Sequence, residues 1–256
     1  MKAGYIQYDV KRDPDENMKT IESFLKSGDF ELAVLPELCL NGYLFESREA
    51  LMETAEEVPS GRSVVKMAEL SEKYRCAIIF GMAERENDRI YNTAVMVKCG
   101  KYVGKYRKIH LTDFEKRFFD RGRENGVFRT DGVKIGVQIC FDLWFPEISR
   151  EQVRGGADIL CALANFGGEQ TYEIAKIRAM ENLTPLVMCN RTGSERAGDM
   201  DADFLGKSSV IDRDGNRISV AESGKNLAFC CELPVGAKKS NVICRDFGEE
   251  MAAHYR

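Results

Sequence analysis

Histidine is almost absent from this chain of 256 residues, which contains only His110 and His254. A metal site built from several histidines is therefore almost excluded, and a Ser-His-Asp triad is disfavoured. The nine cysteines include no Cys-x-x-Cys spacing, so the sequence gives no support for a zinc ribbon or a thioredoxin-type site. We predict that this protein uses neither a metal nor an organic cofactor.

Long apolar runs and a strong excess of one charge are also missing. No stretch approaches the length of a membrane span, and the N-terminus lacks the long apolar region of a secretion signal. The net charge of −4 at pH 7 gives no reason to expect a nucleic-acid partner. Many free thiols without an export signal indicate the reducing cytoplasm. We therefore predict a cytoplasmic protein that binds neither membranes nor nucleic acids.

Strand patterns and helix patterns alternate along both halves of the chain. Asp13 suits a helix N-cap and Pro14 the first helical position, which predicts a helix that ends near Gly28. The alternation predicts an α/β fold, a layered sandwich of two sheets covered by helices. No linker divides the chain, so we predict a single domain over residues 1–256. Its tail from about residue 235 either frays or packs on a partner subunit. The other main predicted elements are strands at 32–35, 76–82, 91–97, 102–106, 158–162, 185–189, 208–211 and 227–232, and helices at about 63–73 and 171–182.

Cys140 is the strongest candidate for a catalytic residue. It ends an apolar, strand-like run at 133–139 and is followed by Pro146-Glu147, which suits the first turn of a helix. A thiol at such a strand-to-helix turn projects from the sheet. It also lies near backbone N–H groups that lower a thiol pKa and bind a developing oxyanion. This position is typical of a cysteine nucleophile.

A nucleophilic thiol needs a general base, and the chain offers either His110 or a carboxylate. Glu37 is the best carboxylate, because it follows the buried run Val34-Leu35-Pro36, at the strand end where α/β proteins gather ligand-binding groups. Lys108 is a suitable partner for it, since the chain becomes apolar directly after this lysine. A lysine there could also hold a negative oxygen in a transition state.

Three ordered motifs resemble the nitrilase superfamily of carbon–nitrogen hydrolases. They are Leu35-Pro36-Glu37-Leu38 with Gly42-Tyr43, then Tyr106-Arg107-Lys108-Ile109-His110-Leu111, then Ile139-Cys140-Phe141-Asp142 with Phe145-Pro146-Glu147. The resemblance covers nearly the whole chain. It implies a four-layer α-β-β-α sandwich, subunits that pair as a homodimer or a larger assembly, and a Glu-Lys-Cys triad at Glu37, Lys108 and Cys140.

The resemblance also implies a second glutamate that positions the substrate. That role falls most naturally on Glu115, with Glu124 and Asp113 as the alternatives close by in sequence. The pocket is expected to be built from loops around Tyr43, Phe141, Asn165 and Arg191.

The substrate class follows only in part from the motifs. Phe141-Asp142 after Cys140 resembles amidases, which more often have an aspartate here, rather than nitrilases proper, which tend to have tryptophan and glutamate; the resemblance thus favours amides over nitriles. Trp144-Phe145-Pro146-Glu147 resembles the corresponding stretch of N-carbamoyl-amine hydrolases. We therefore predict hydrolysis of a small amide, with a nitrile or a carbamoyl amine as alternatives. A catalytically silent scaffold is the alternative from another functional class.

Overall fold

Two six-stranded sheets pack face to face in the computed structural model, which describes residues 1–253. Helices cover both outer faces, so the predicted four-layer α-β-β-α sandwich is confirmed. The strands are β1 (Lys2–Gln7), β2 (Leu32–Val34), β3 (Ala77–Glu86), β4 (Arg89–Lys98), β5 (Lys101–Arg107), β6 (Gly126–Thr130), β7 (Val133–Ile139), β8 (Ile159–Ala164), β9 (Leu186–Asn190), β10 (Thr192–Ala197), β11 (Met200–Leu205), β12 (Ser209–Ile211), β13 (Arg217–Val220) and β14 (Leu227–Glu232). The helices are α1 (Pro14–Ser27), α2 (Arg48–Thr54), α3 (Arg62–Lys73), α4 (Pro146–Arg154), α5 (Glu169–Asn182) and α6 (Phe247–Ala253).

The two sheets have related topologies. The first has the order β14-β1-β2-β3-β4-β5, and the second has the order β13-β12-β9-β8-β7-β6. Each contains three central parallel strands, β1-β2-β3 in one and β7-β8-β9 in the other. Because the carboxyl ends of parallel strands meet at one edge of a sheet, residues that follow β2 and β7 are well placed to share a site.

Alternate residues of each central strand face different layers. Val34 and Cys161 point into the core between the sheets. Ala33 packs beneath α1 and α3, and Leu160 packs beneath α4 and α5. Both faces of these strands are therefore apolar, as expected for parallel strands covered on both sides.

Helix α1 begins as the sequence predicts. The Asp13 side chain accepts a hydrogen bond from the backbone N–H of Asp15, and Pro14 is the first helical residue. The helix ends at Ser27, and the N–H of Gly28 donates to the carbonyl of Phe24. These contacts satisfy backbone groups that the helix ends leave without partners.

Several elements differ from the prediction. β3 runs on to Glu86 rather than ending near Met82, because it forms a long hairpin with β4. Helix α2, the strand β6 and the β10–β11 hairpin were not predicted. The tail contains the short helix α6, and His254 lies outside the described residues. Within residues 1–253, no helix is long and apolar enough to cross a bilayer.

Candidate active site

Cys140 lies where β7 ends, as the sequence predicts. It has a left-handed φ of +46° and opens a short 3₁₀ turn, Cys140–Trp144, after which α4 starts at Pro146. A non-glycine residue in this conformation stores on the order of 1 kcal/mol of strain, and such strain is concentrated at functional sites. The backbone N–H of Asn165, which follows β8, donates to the Cys140 thiol.

Glu37 follows β2 in a turn that lies directly against β3. Gly81 makes this approach possible, because a Cβ atom there would come within 2.7 Å of the Glu37 Cα atom. The backbone holds the turn on both sides: Gly81 N–H donates to Pro36, and Cys39 N–H donates to Gly81. The Glu37 carboxylate is consequently placed in the interior, with no exposed surface.

Lys108 joins two buried carboxylates. Its Nζ lies 2.7 Å from Oε1 of Glu37 and 2.5 Å from Oε1 of Glu115, and its own side chain is 1% exposed. Glu115 begins a 3₁₀ turn and is fixed by Thr112, whose backbone N–H donates to Oε2 at 2.9 Å. The sequence-predicted residues Glu37, Lys108 and Glu115 are therefore in direct contact. Of the alternatives to Glu115, Asp113 is an exposed side chain paired with Lys116, and Glu124 is exposed to solvent.

The pKa values of the two carboxyl groups in this cluster shift in opposite directions. Burial and the neighbouring charge of Glu115 raise the pKa of Glu37 to about 7, against the opposing effect of Lys108. Burial also disfavours ionisation of Glu115, but the charge and hydrogen bond of Lys108 hold its pKa below the usual value. Burial disfavours the ammonium of Lys108, yet Glu115 and Glu37 raise its pKa well above the usual range. At neutral pH the cluster thus holds an ammonium, a carboxylate and one carboxyl group that is poised to titrate.

The Cys140 thiol faces the same charges. Burial and the charge of Glu37 raise its pKa well above the usual value, and Lys108 offsets only part of this effect. The resting residue is therefore a neutral thiol at neutral pH.

Asn92 was not predicted from the sequence, although it completes the cluster. It lies on β4 with no exposed surface, and its Nδ2 donates to Glu37 at 2.6 Å and lies 3.4 Å from Glu115. Its backbone carbonyl also accepts from the N–H of Lys108. Because buried polar groups need partners, the burial of this amide indicates a role that only its spatial neighbours reveal.

The sequence predicts Asp142 only as a marker of substrate class, but in the structure this residue connects the Cys140 turn to the segment that carries Lys108. Oδ1 accepts from the backbone N–H of His110 at 2.9 Å and lies 3.0 Å from its Nδ1. Oδ2 accepts from the Tyr106 hydroxyl at 2.8 Å and from Ile139 N–H at 3.1 Å. The His110 ring stacks on the Phe145 ring with 3.6 Å between the ring centres. Asp142 and Phe145 together therefore fix the position of this histidine.

Three of the four predicted pocket residues border the cluster. Tyr43 experiences the charges of Glu115, Lys108 and Cys140, and burial raises its phenol pKa well above the usual value. Phe141 is half-buried directly after the thiol. Asn165 is 7% exposed, and neither its Oδ1 nor its Nδ2 has a hydrogen-bond partner among the described residues.

Arg191, the fourth, is held by protein groups. It has no exposed surface, its NH1 donates to Glu195 at 2.5 Å, and its NH2 donates to the carbonyl of Val10. Glu195 in turn accepts from the backbone N–H groups of Tyr43 and Leu44. Arg191 therefore braces the loop that carries Tyr43.

Comparisons with known proteins agree with this architecture. A sequence model of the carbon–nitrogen hydrolase family matches residues 2–227. A nitrilase of Pyrococcus abyssi is 36% identical over 263 residues, covering 100% of this chain and 99% of its own length. A 2-oxoglutaramate amidase of Bacillus subtilis is 33% identical over 86% of this chain and 85% of its own length. The crystal structure of Nit3 from Saccharomyces cerevisiae, a nitrilase-superfamily member, superposes with a TM-score of 0.81 at 24% identity, over 91% of this chain and 89% of Nit3. The chain belongs to the carbon–nitrogen hydrolase family and is a carbon–nitrogen hydrolase of the nitrilase superfamily.

Proposed function

We propose that this protein hydrolyses the non-peptide C–N bond of a small amide through a thioester on Cys140. Glu37 acts as the general base, Lys108 stabilises the oxyanion and Glu115 holds the lysine in place. The observation that carries this proposal is the buried contact of one ammonium with two carboxylates beside the thiol.

In the acylation step, the Cys140 sulfur attacks the substrate carbonyl carbon while Glu37 takes the thiol proton. One oxygen of Glu37 binds Lys108 and Asn92, whereas Oε2 has no partner among the described residues and is free to accept a proton. A carboxyl group with a pKa of about 7 suits this task at neutral pH.

Negative charge develops on the substrate oxygen as the sulfur attacks. The Lys108 ammonium and the backbone N–H of Phe141 stabilise it, and one such donor contributes roughly 3 kcal/mol. Glu115 keeps the lysine protonated by supplying a permanent negative charge. Glu37 is thereby left free to exchange its proton.

Collapse of the tetrahedral intermediate releases ammonia or an amine, which takes its proton from Glu37. Water then attacks the thioester, and Glu37 accepts a proton from that water. The hydroxyl of the water becomes part of the released acid, and Glu37 returns the water's proton to the departing Cys140 sulfur, which regenerates the thiol.

We propose that Asn165 and Tyr43 bind the substrate directly, beside the ring of Phe141. The unpartnered amide of Asn165 offers both a donor and an acceptor next to the thiol, which matches the C=O and NH₂ of a primary amide. Arg191 acts on the substrate through Tyr43, whose loop it holds by way of Glu195.

Nitrile hydrolysis is a second candidate, because the full-length relative from Pyrococcus abyssi bears the name nitrilase. The acceptor oxygen of Asn165 favours the amide, since a nitrile has no N–H to donate. A carbamoyl amine shares the amide NH₂ and stays an alternative within the same mechanism. Ammonia release from matched amides, nitriles and carbamoyl amines discriminates among the three.

The direct test is the intact mass of the protein after brief mixing with a panel of small amides and nitriles. An acyl adduct that maps to Cys140 and is absent from Cys140→Ala supports the proposal, and its mass identifies the acyl group. The proposal fails if a mild electrophile labels Cys140 no faster than the other eight thiols and no substrate of the panel is turned over. The protein would then be a catalytically silent scaffold.

We further propose that the protein is cytoplasmic and works as a homodimer or a larger assembly. Ile177 and Met180 on α5 are 47% and 40% exposed, and Trp144 nearby is 44% exposed. Apolar side chains exposed together are typical of subunit contacts. Light scattering coupled to size-exclusion chromatography measures the assembly, and Ile177→Glu with Met180→Glu is expected to shift it toward the monomer.

A further inference from the structure

A second cavity, of about 290 Å³, opens behind the lysine segment, where β4 and β5 meet the loop at residues 121–124. We call it the arginine pocket; its cationic lining consists of Arg89, Lys105, Arg107, Arg121 and Arg123. Gly122 lines the pocket, and its N–H donates to the carbonyl of Lys108 at 2.8 Å. The pocket thus borders the Lys108 backbone, whereas the Lys108 side chain contacts Glu37 and Glu115.

Two cations of the arginine pocket are paired with acidic side chains. The Arg107 guanidinium lies 3.8 Å from the ring centre of Tyr91 and makes paired hydrogen bonds to Glu84 and Glu86. Lys105 also bonds to Glu84, whose side chain is 1% exposed. These two acidic groups therefore neutralise the two innermost cations.

The remaining three cations have no such partners. Arg89 donates to the Tyr91 hydroxyl at 3.5 Å and experiences the charges of Asp120 and Glu86 without forming an ion pair with either. Arg121 donates to the backbone carbonyl of Ile109. Arg123 makes no hydrogen bond or ion pair with any residue in 1–253. Glu124 is the only other acidic side chain of the lining, so the pocket keeps a surplus of two positive charges.

Such an arrangement is unfavourable without a ligand. Three guanidinium groups line one small cavity, so their like charges repel one another. The apolar ring of Tyr91 and the concave shape of the pocket concentrate the electric field of these guanidinium groups. An oxyanion bound between them would relieve the repulsion and accept paired N–H donors in the geometry that guanidinium groups favour.

We propose that the arginine pocket binds a small phosphoryl anion. Phosphoryl oxygens match several guanidinium groups at once, more fully than a single carboxylate does. The cavity volume suits a small molecule, and the net charge of −4 of the whole chain disfavours an extended polyanion. Inorganic pyrophosphate and a phosphorylated metabolite share this chemistry.

Isothermal titration calorimetry of the full chain at fixed ionic strength tests the proposal. Pyrophosphate, inorganic phosphate and ribose 5-phosphate are titrated separately, with succinate as the dicarboxylate comparison. We expect saturable binding of one phosphoryl anion per chain, and the tightest probe distinguishes an inorganic ligand from a phosphate ester. Arg121→Gln and Arg123→Gln should each weaken it roughly tenfold, as the loss of a charged hydrogen bond does.

Arg129→Gln is the matched control, because Arg129 is an exposed arginine on β6 outside the pocket lining. It removes the same charge and should leave the affinity unchanged. The proposal is overturned if no phosphoryl probe binds, if succinate binds as tightly, or if all three variants weaken binding equally. None of these readouts requires amide hydrolysis, so the result is independent of the proposed function.

Discussion

Glu37 and Glu115 place one carboxylate oxygen each on the same Lys108 ammonium, at 2.7 and 2.5 Å. The two acids then differ in their remaining contacts. Glu115 also accepts the Thr112 backbone N–H, whereas Oε2 of Glu37 has no partner among residues 1–253. Burial and the charge of Glu115 raise the pKa of Glu37, whereas Lys108 and Thr112 hold the pKa of Glu115 low. These opposite shifts support the proposed assignment of the proton transfers to Glu37.

The pH dependence of the reaction follows from this assignment. Glu37 must be deprotonated to accept the thiol proton, and its pKa is raised to about 7. Below that pH, kcat/KM should fall roughly tenfold per pH unit, because the base is progressively lost. The raised pKa of Lys108 keeps the ammonium charged, so this lysine causes no loss up to pH 9. A kcat/KM profile from pH 5 to 9 checks this, and a flat acid limb would contradict the role of Glu37.

Replacement of Lys108 by arginine keeps the charge and changes its shape. The two carboxylates bind a single buried Nζ, and a planar guanidinium cannot occupy that volume with the same contacts. We expect Lys108→Arg to lower kcat at least a hundredfold. Lys101→Arg, at an exposed position of β5, is the control and should keep full activity. Near-normal ammonia release by Lys108→Arg would remove this lysine from the reaction.

The sequence allowed prediction of those site residues that lie at strand ends. Glu37 follows β2 and Cys140 follows β7, and each is preceded by a recognisable apolar run. Asn92 escaped prediction because it lies within β4, where only the identity of its spatial neighbours shows that its amide is used. Whether Arg191 reaches the substrate or another protein group likewise depends on Glu195, which lies on an unpredicted strand.

The elements that were missed share weak apolar patterns. The β10–β11 hairpin carries charged side chains on its exposed face, such as Arg196 and Asp201, and pairs with no other strand within residues 1–253. Helix α2 has only seven residues, and Leu51 is its only buried residue. Such elements depend on tertiary contacts more than on periodicity. The central strands, buried on both faces, were therefore the predictable part of the fold.

Loss of the Cys140 sulfur should abolish turnover without unfolding the protein. Cys140→Ala removes the nucleophile, and Cys140→Ser replaces it with a hydroxyl that Glu37 deprotonates far less readily. Both variants should melt near the temperature of the parent protein. Cys99→Ser is a suitable control, since Cys99 is exposed and also has a positive φ of +49°. Full activity in Cys140→Ser would rule out the thioester.

His110→Asn distinguishes the proposed mechanism from one in which the histidine is the base. The His110 Nδ1 lies against Asp142 and its ring stacks on Phe145, so its role is to hold the turn. Asparagine can still donate to Asp142, and we expect a loss of less than tenfold. Burst kinetics with a reactive amide measure acylation separately. If acylation is abolished while Asn92 and Glu37 are intact, the histidine was the base.

Asp142 gives the sharpest test of how the nucleophile turn is positioned. Its two oxygens face donors from Ile139, Tyr106 and His110, so the carboxylate fixes the end of β7 against the segment that carries Lys108. In Asp142→Asn the new NH₂ group faces donors, which leaves at least one buried hydrogen bond unmade at a cost of about 1–3 kcal/mol.

A displaced turn weakens the alignment of the sulfur more than it weakens substrate binding. We therefore expect Asp142→Asn to lower kcat roughly 10- to 100-fold while KM changes less than threefold. Asp131→Asn is the control, because Asp131 is an exposed turn residue with a side chain that is 70% exposed. If instead KM rises and kcat is retained, Asp142 shapes the pocket wall, and the alignment of Cys140 must depend on Asn165 and the strand end alone.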